Sequence, residues 1–198
     1  MDFFTAFDLK TVFIILHLIG LTFGAGGAWI SDLLILKFLQ LEVITEDKMK
    51  MIQFMTKLVI FGLVLLWITG LGFLGMYYFE AAEKLANPKI WAKVTIVIIL
   101  TFNGVWLHKF VMPLLQQNIG KKLFDEISKN TKRLMITAGT ISLVSWIFPI
   151  ILGSSTALNF ILPMYEILAY YFVALVLTFV VLTFIMNKLT KMELTQPA

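Results

Sequence analysis

The sequence predicts an all-α integral membrane protein, a bundle of five transmembrane helices, and three observations carry that prediction. Hydrophobic residues fill 60% of the 198 positions and charged residues only 14%, where an average soluble domain has roughly 45–50% and about 25%. Mean hydropathy is +0.91. The apolar residues fall in five long runs, each close to or above the ~20 residues that cross a hydrocarbon core of about 30 Å. Backbone groups in lipid must be satisfied within the segment, so these runs are helices and not strands.

The first run spans about residues 11–36. It is too long for a cleaved signal core, and no basic residue precedes Lys10, so it is expected to be retained. The second covers about 51–79 and contains Trp67-Ile68-Thr69-Gly70. Asn87-Pro88 then breaks the chain before a third run, about 90–115, with Pro113 near its end. The fourth covers about 134–152 and the fifth about 159–186. No low-complexity tract, long linker or internal repeat divides them, so residues 1–198 are read as a single transmembrane domain.

Lysine and arginine set the expected orientation. Lys37, Lys48, Lys50 and Lys57 follow the first helix, and Lys109, Lys121, Lys122, Lys129, Lys132 and Arg133 follow the third. Lys188 and Lys191 lie in the tail. The opposite face has Lys10, Lys84, Lys89 and Lys93, and the loop at 153–157 has no basic residue. The positive-inside rule therefore places the N-terminus outside and the C-terminus in the cytoplasm. The net charge of +4 suits anionic lipid at the segment ends and not nucleic acid. Cysteine is absent, which excludes disulfides, thiolate nucleophiles, iron–sulfur clusters and thiolate-ligated haem.

Ionisable groups within spans are functional candidates by default. His17 lies about seven residues into the first helix, or roughly 10 Å. Lys93 starts the third helix from the same face, and Glu166 is expected about seven residues into the fifth, beside Tyr165, Tyr170 and Tyr171. Trp67, Thr69 and Trp146 belong to that outer half. Glu166 is expected to pair by depth with Lys93 or His17. Gly20, Gly24, Gly27, Ala28 and Ser31 follow His17 at helical spacing, leaving a strip with little side-chain bulk. Such a strip admits either a neighbouring helix, with His17 hydrogen-bonded across the contact, or a flat ligand with His17 Nε2 on its metal. From spacing alone the helix contact is favoured about two to one.

His108, next to Lys109, is expected at the cytoplasmic boundary, roughly 20 Å in depth from His17 and unable to share an iron with it. Asp32 sits in the inner half of the first helix, one turn from Lys37; it is a candidate to pair with Lys37 and, in the transporter alternative, to form a relay with Glu166 and Lys93.

Leu16-His17-Leu18-Ile19-Gly20 with Gly26-Gly27-Ala28-Trp29, then Trp67-Ile68-Thr69-Gly70, then Trp91-Ala92-Lys93 through Asn103-Gly104 resemble the first three helices of the CopD/HemJ-like membrane proteins. The resemblance covers about residues 9–115. It implies a small bacterial inner-membrane protein and, in the HemJ branch, haem b and oxidation of protoporphyrinogen. His17 matches that group's first-helix histidine and Lys93 its third-helix lysine. The chain departs from the group in its five spans, where four are usual, and in Asn103, where the third helix tends to carry a histidine.

The leading expectation is a haem- or porphyrin-binding redox protein. His17 is its candidate axial ligand and the one candidate metal ligand. Gly20, Gly24, Lys93, Glu166 and Trp67 complete the cofactor site, and a porphyrin or a quinone is the partner within the membrane. The alternatives are a small transporter or a non-catalytic subunit built on the Glu166 and Lys93 layer. Five helices without an inverted repeat make an unusual carrier unless it forms a homo-oligomer.

Overall fold

A computed structural model describes residues 8–40, 43–121 and 127–193, with side chains described except at 37–40 and 189–193. The described residues are helical apart from short links and one parallel bridge between Ile44 and Ile119. Helix α1 spans Leu9–Gln40, α2 Glu46–Glu80 and α3 Pro88–Trp106. A π turn, Leu107–Val111, leads into α4, Met112–Gln117. Helices α5, Lys129–Ser154, and α6, Met164–Glu193, complete the chain. Five helical stretches are long and apolar enough to cross a membrane, with α3, the π turn and α4 forming one of them.

Helix ends extend past the apolar runs wherever a polar side chain caps them. Asp8 accepts from the Thr11 amide at 2.7 Å and starts α1 two residues earlier than the apolar pattern suggests. Hydrogen bonding from Thr11 holds the Asp8 carboxyl below the usual carboxylate range. Thr45 caps α2 by accepting from the Lys48 amide, with Glu46 and Asp47 in the first turn, where the helix dipole favours negative charge. Ser128 does the same for α5 through Thr131.

Two prolines shape the remaining ends. Pro113 has no N–H, and its ring crowds the carbonyl four residues back. The chain answers with the π turn just before it, where the Met112 N–H reaches the Leu107 carbonyl. Pro163 starts α6 late. Residues 159–163 are not helical, and Phe160 has φ +60°. Glu166 therefore lies in the first turn of α6, not about seven residues inside a span. The fifth apolar run includes a link, because a residue before proline avoids the helical region.

Helices α1 and α2 pack as an antiparallel pair, and α5 packs against α1, α3 and α6. At one end of the bundle, called here the His17 end, Asn87 caps α3 and its amide donates to Asn159 at 3.2 Å. There the buried Lys89 also donates to the Ser155 carbonyl at 2.9 Å. At the opposite, Ile44 end, Gly120 (φ +85°) donates to the Ile44 carbonyl at 2.8 Å. Ile44, Met49, Ile52, Val111 and Leu115 form a buried cluster at that end. The outward surface is apolar, with Phe79, Phe102 and Phe184 among its most exposed side chains. Such a surface suits acyl chains.

Candidate functional site

The two polar regions of the bundle differ: in one most polar side chains bond to one another, and in the other buried polar atoms lack partners among the described residues. At the His17 end, Thr69 is fully buried and its hydroxyl donates to the Leu65 carbonyl at 2.8 Å. The same hydroxyl shares a hydrogen bond of 2.7 Å with His17 Nδ1, and with its proton on the Leu65 carbonyl it accepts from Nδ1–H. That bond sets the imidazole tautomer and leaves the Nε2 lone pair free. Phe73 meets the ring edge-on, with centroids 5.7 Å apart.

Neighbouring polar groups find partners in the same way. The Trp67 indole donates to the Thr101 hydroxyl at 3.0 Å, and the Asn103 amide donates to the Ala138 carbonyl at 3.0 Å. Tyr171 and Ser145 share a hydrogen bond of 2.8 Å, whereas Tyr165 and Tyr170 are exposed. Sequence reasoning placed Trp67 in this layer but missed Thr101 and Ser145. Thr and Ser in apolar helices are common back-bonding residues and carry no signal alone.

Lys93 lies within electrostatic range of both His17 and Lys89. Its ammonium makes no hydrogen bond or ion pair among the described residues. Glu166 lies in the first turn of α6 and makes no hydrogen bond or ion pair with Lys93 or His17. His108 lies exposed on the π turn, towards the other end of the bundle. Among the described residues no group of three His, Asp or Glu side chains is positioned to hold a metal ion.

The small-residue strip is taken up by protein. A Cβ at Gly20 would stand 3.1 Å from the Gly62 carbonyl, and one at Gly24 would enter the Trp146 ring, 2.8 Å from Cζ3. Gly62 approaches just as closely from α2: a Cβ there would lie 2.6 Å from Gly24 Cα. The strip is thus a helix crossing sealed by a buried tryptophan. A porphyrin laid over Gly20 and Gly24 would have to displace α2 and the Trp146 ring, so the residues on this face do not fit one.

No family model, curated protein or solved structure matches this chain. The reading of its site therefore rests on geometry.

The unsatisfied region lies about 22 Å further along α1 at the helical rise. Among the described residues, the buried side-chain atoms without a hydrogen-bond partner are Trp29 Nε1, Ser31 Oγ, Asp32 Oδ2 and Thr183 Oγ1. Trp29 and Asp32 line a cavity of about 180 Å³ whose remaining wall is apolar, including Leu107, Met135, Gly139 and Leu182. Thr183 follows Leu182 directly. The wall draws on α1, the π turn, α5 and α6, and π turns inside helices frequently mark functional sites. The Ser142 hydroxyl approaches the Asp32 carboxyl. The expected pairing of Asp32 with Lys37 lies outside the described side chains.

Proposed function

We propose that this chain is a small ligand-binding protein of the membrane interior, of the carrier class, whose site is the Asp32–Trp29 cavity. The observation that carries the reading is that two residues with partnerless buried polar atoms, Trp29 and Asp32, line one otherwise apolar cavity. Buried polar groups are ordinarily paired, and each exception calls for an explanation such as an absent ligand, ion or water. In the His17 layer His17 Nδ1 bonds to Thr69 and Trp67 to Thr101, so fewer groups there call for such an explanation. Under the positive-inside orientation, with the N-terminus outside a bacterial inner membrane, the cavity lies in the cytoplasmic half.

The natural absence of cysteine makes this reading directly testable. Gly139 borders the cavity, and a Cβ there would meet nothing within 4 Å. Phe102, 69% exposed, faces outwards from α3. In membrane vesicles the Gly139→Cys chain should react with N-ethylmaleimide at least about tenfold faster than Phe102→Cys, because thiols ionise and react only where water reaches them. Equal inertness of the two would mean a closed cavity and would remove the carrier reading.

A second reading keeps His17 as a haem ligand, as the CopD/HemJ-like resemblance implies. One observation favours it: Thr69 leaves Nε2 free, and the half-buried Lys93 nearby supplies an unpaired cation for a propionate. The macrocycle would have to bind on a face of α1 other than the glycine strip. Its test is the absorption spectrum of the purified chain, oxidised and dithionite-reduced. A Soret band should vanish in His17→Ala and persist in His108→Ala. The reverse pattern, or no haem uptake by wild type, rejects it.

A further inference from the structure

Taking the cavity to be a ligand site, we infer that its ligand is a compact protonated amine carrying a single ring or a short alkyl body. The inference rests on the reading proposed above and adds the chemistry of what binds. The cavity volume, about 180 Å³, is somewhat larger than the roughly 150 Å³ that holds one benzene ring in an engineered apolar cavity. It is several times the share of liquid volume of one water, about 30 Å³. A water bridging Trp29 to Asp32 would therefore leave most of the apolar wall uncovered.

The polar end selects the charge. An ionised carboxylate only accepts hydrogen bonds, and Asp32 Oδ2 receives none. Among the described residues, no lysine, arginine or histidine lines the cavity. A bound ammonium would donate to Oδ2 and favour the ionised carboxylate, and a charge-assisted bond in an apolar surround is the strong kind. An anionic ligand would instead bring two like charges together away from water.

Trp29 is three residues before Asp32, so the two side chains are neighbours on one face of α1. Its indole adds an aromatic surface that attracts cations. Its free N–H adds a donor that suits an oxygen on the ligand close to the amine. The apolar body would lie against Leu107, Met135 and Leu182. A β-amino alcohol on one ring meets all of these requirements.

The test is equilibrium dialysis of the full detergent-purified chain against four radiolabelled probes of similar size. These are 2-phenylethylamine, 2-amino-1-phenylethanol, the uncharged 2-phenylethanol and the anionic 3-phenylpropionate. Both amines should bind saturably at one per chain, at least about tenfold more tightly than 2-phenylethanol, with no binding of the acid. Asp32→Asn and the cavity-filling Gly139→Leu should each weaken amine binding at least tenfold. Trp29→Phe should remove only the advantage of the amino alcohol over the plain amine.

The comparison among probes needs no variant and stands even if a substituted chain fails to fold. Equal binding of alcohol and amine, preference for the acid, or unchanged amine binding in Asp32→Asn would each overturn the inference. If 2-phenylethanol binds as well as the amines while Gly139→Cys reacts with maleimide, the cavity reading stands and only the ligand class fails. If no probe binds and Gly139→Cys is inert, both fail.

Discussion

Gly62→Ala should be the most damaging single-methyl change in the bundle, lowering stability by about 3 kcal/mol, the upper part of the usual range for overpacking. The added Cβ would stand 2.5 Å from the Gly20 carbonyl and 2.6 Å from Gly24 Cα. Both obstacles are backbone, so no side-chain rotation relieves them, and α1 and α2 must separate. Separation also uncovers the Trp146 ring, which is 3% exposed and packs on Gly24. The control lies two turns along the same helix: at Gly70 a Cβ meets nothing within 4 Å. Gly70→Ala should therefore be neutral or stabilising by up to about 1 kcal/mol, as expected for alanine in a helix interior. Thermal unfolding of both variants in one detergent checks the pair. Similar midpoints would mean that the glycine crossing is not the seam of the fold.

Asp32→Leu should stabilise the ligand-free chain by about 1–3 kcal/mol, the cost of keeping a buried polar group without its partner. The adjoining cavity gives the larger side chain room, Oδ2 has no hydrogen bond to lose, and what the chain gives up is the approach of Ser142. Thr69→Val, similar in shape, should act in the opposite direction. It strands the His17 Nδ1–H that now bonds at 2.7 Å, a loss of about 1–3 kcal/mol. The contrast separates a carboxylate kept for a ligand from a hydroxyl kept for the fold. Destabilisation by Asp32→Leu as large as that by Thr69→Val would mean that Asp32 has a structural task.

Both predictions concern α1, and they show what could be read from its sequence. Gly20, Gly24 and Gly27 announce a close approach on one face, but not what approaches. A helix and a flat ligand ask the same thing of that face, namely an absence of Cβ atoms. Gly62 and Trp146, far away in the chain, supply the answer. His17 is legible as a polar group at depth. That it is satisfied depends on Thr69, 52 residues away. Asp32 is legible as a carboxyl at depth, but the apolar cavity beside it depends on Leu107, Met135 and Leu182 from distant helices. Glu166 was misplaced in depth because an apolar run does not distinguish a link from a helix, and Pro163 decides the difference.

By itself the sequence determined that the chain is helical, that five of its stretches can cross a membrane, and roughly where each begins and ends. Those properties follow from hydrophobic run length and from local capping chemistry, both of which act within a few residues. Only the tertiary structure decided which polar groups are satisfied, which glycines are covered, and where a cavity remains. Pairing and packing depend on residues brought together from distant helices. In apolar helices of similar composition, nothing in the local sequence distinguishes the face that meets a neighbour from the face that does not.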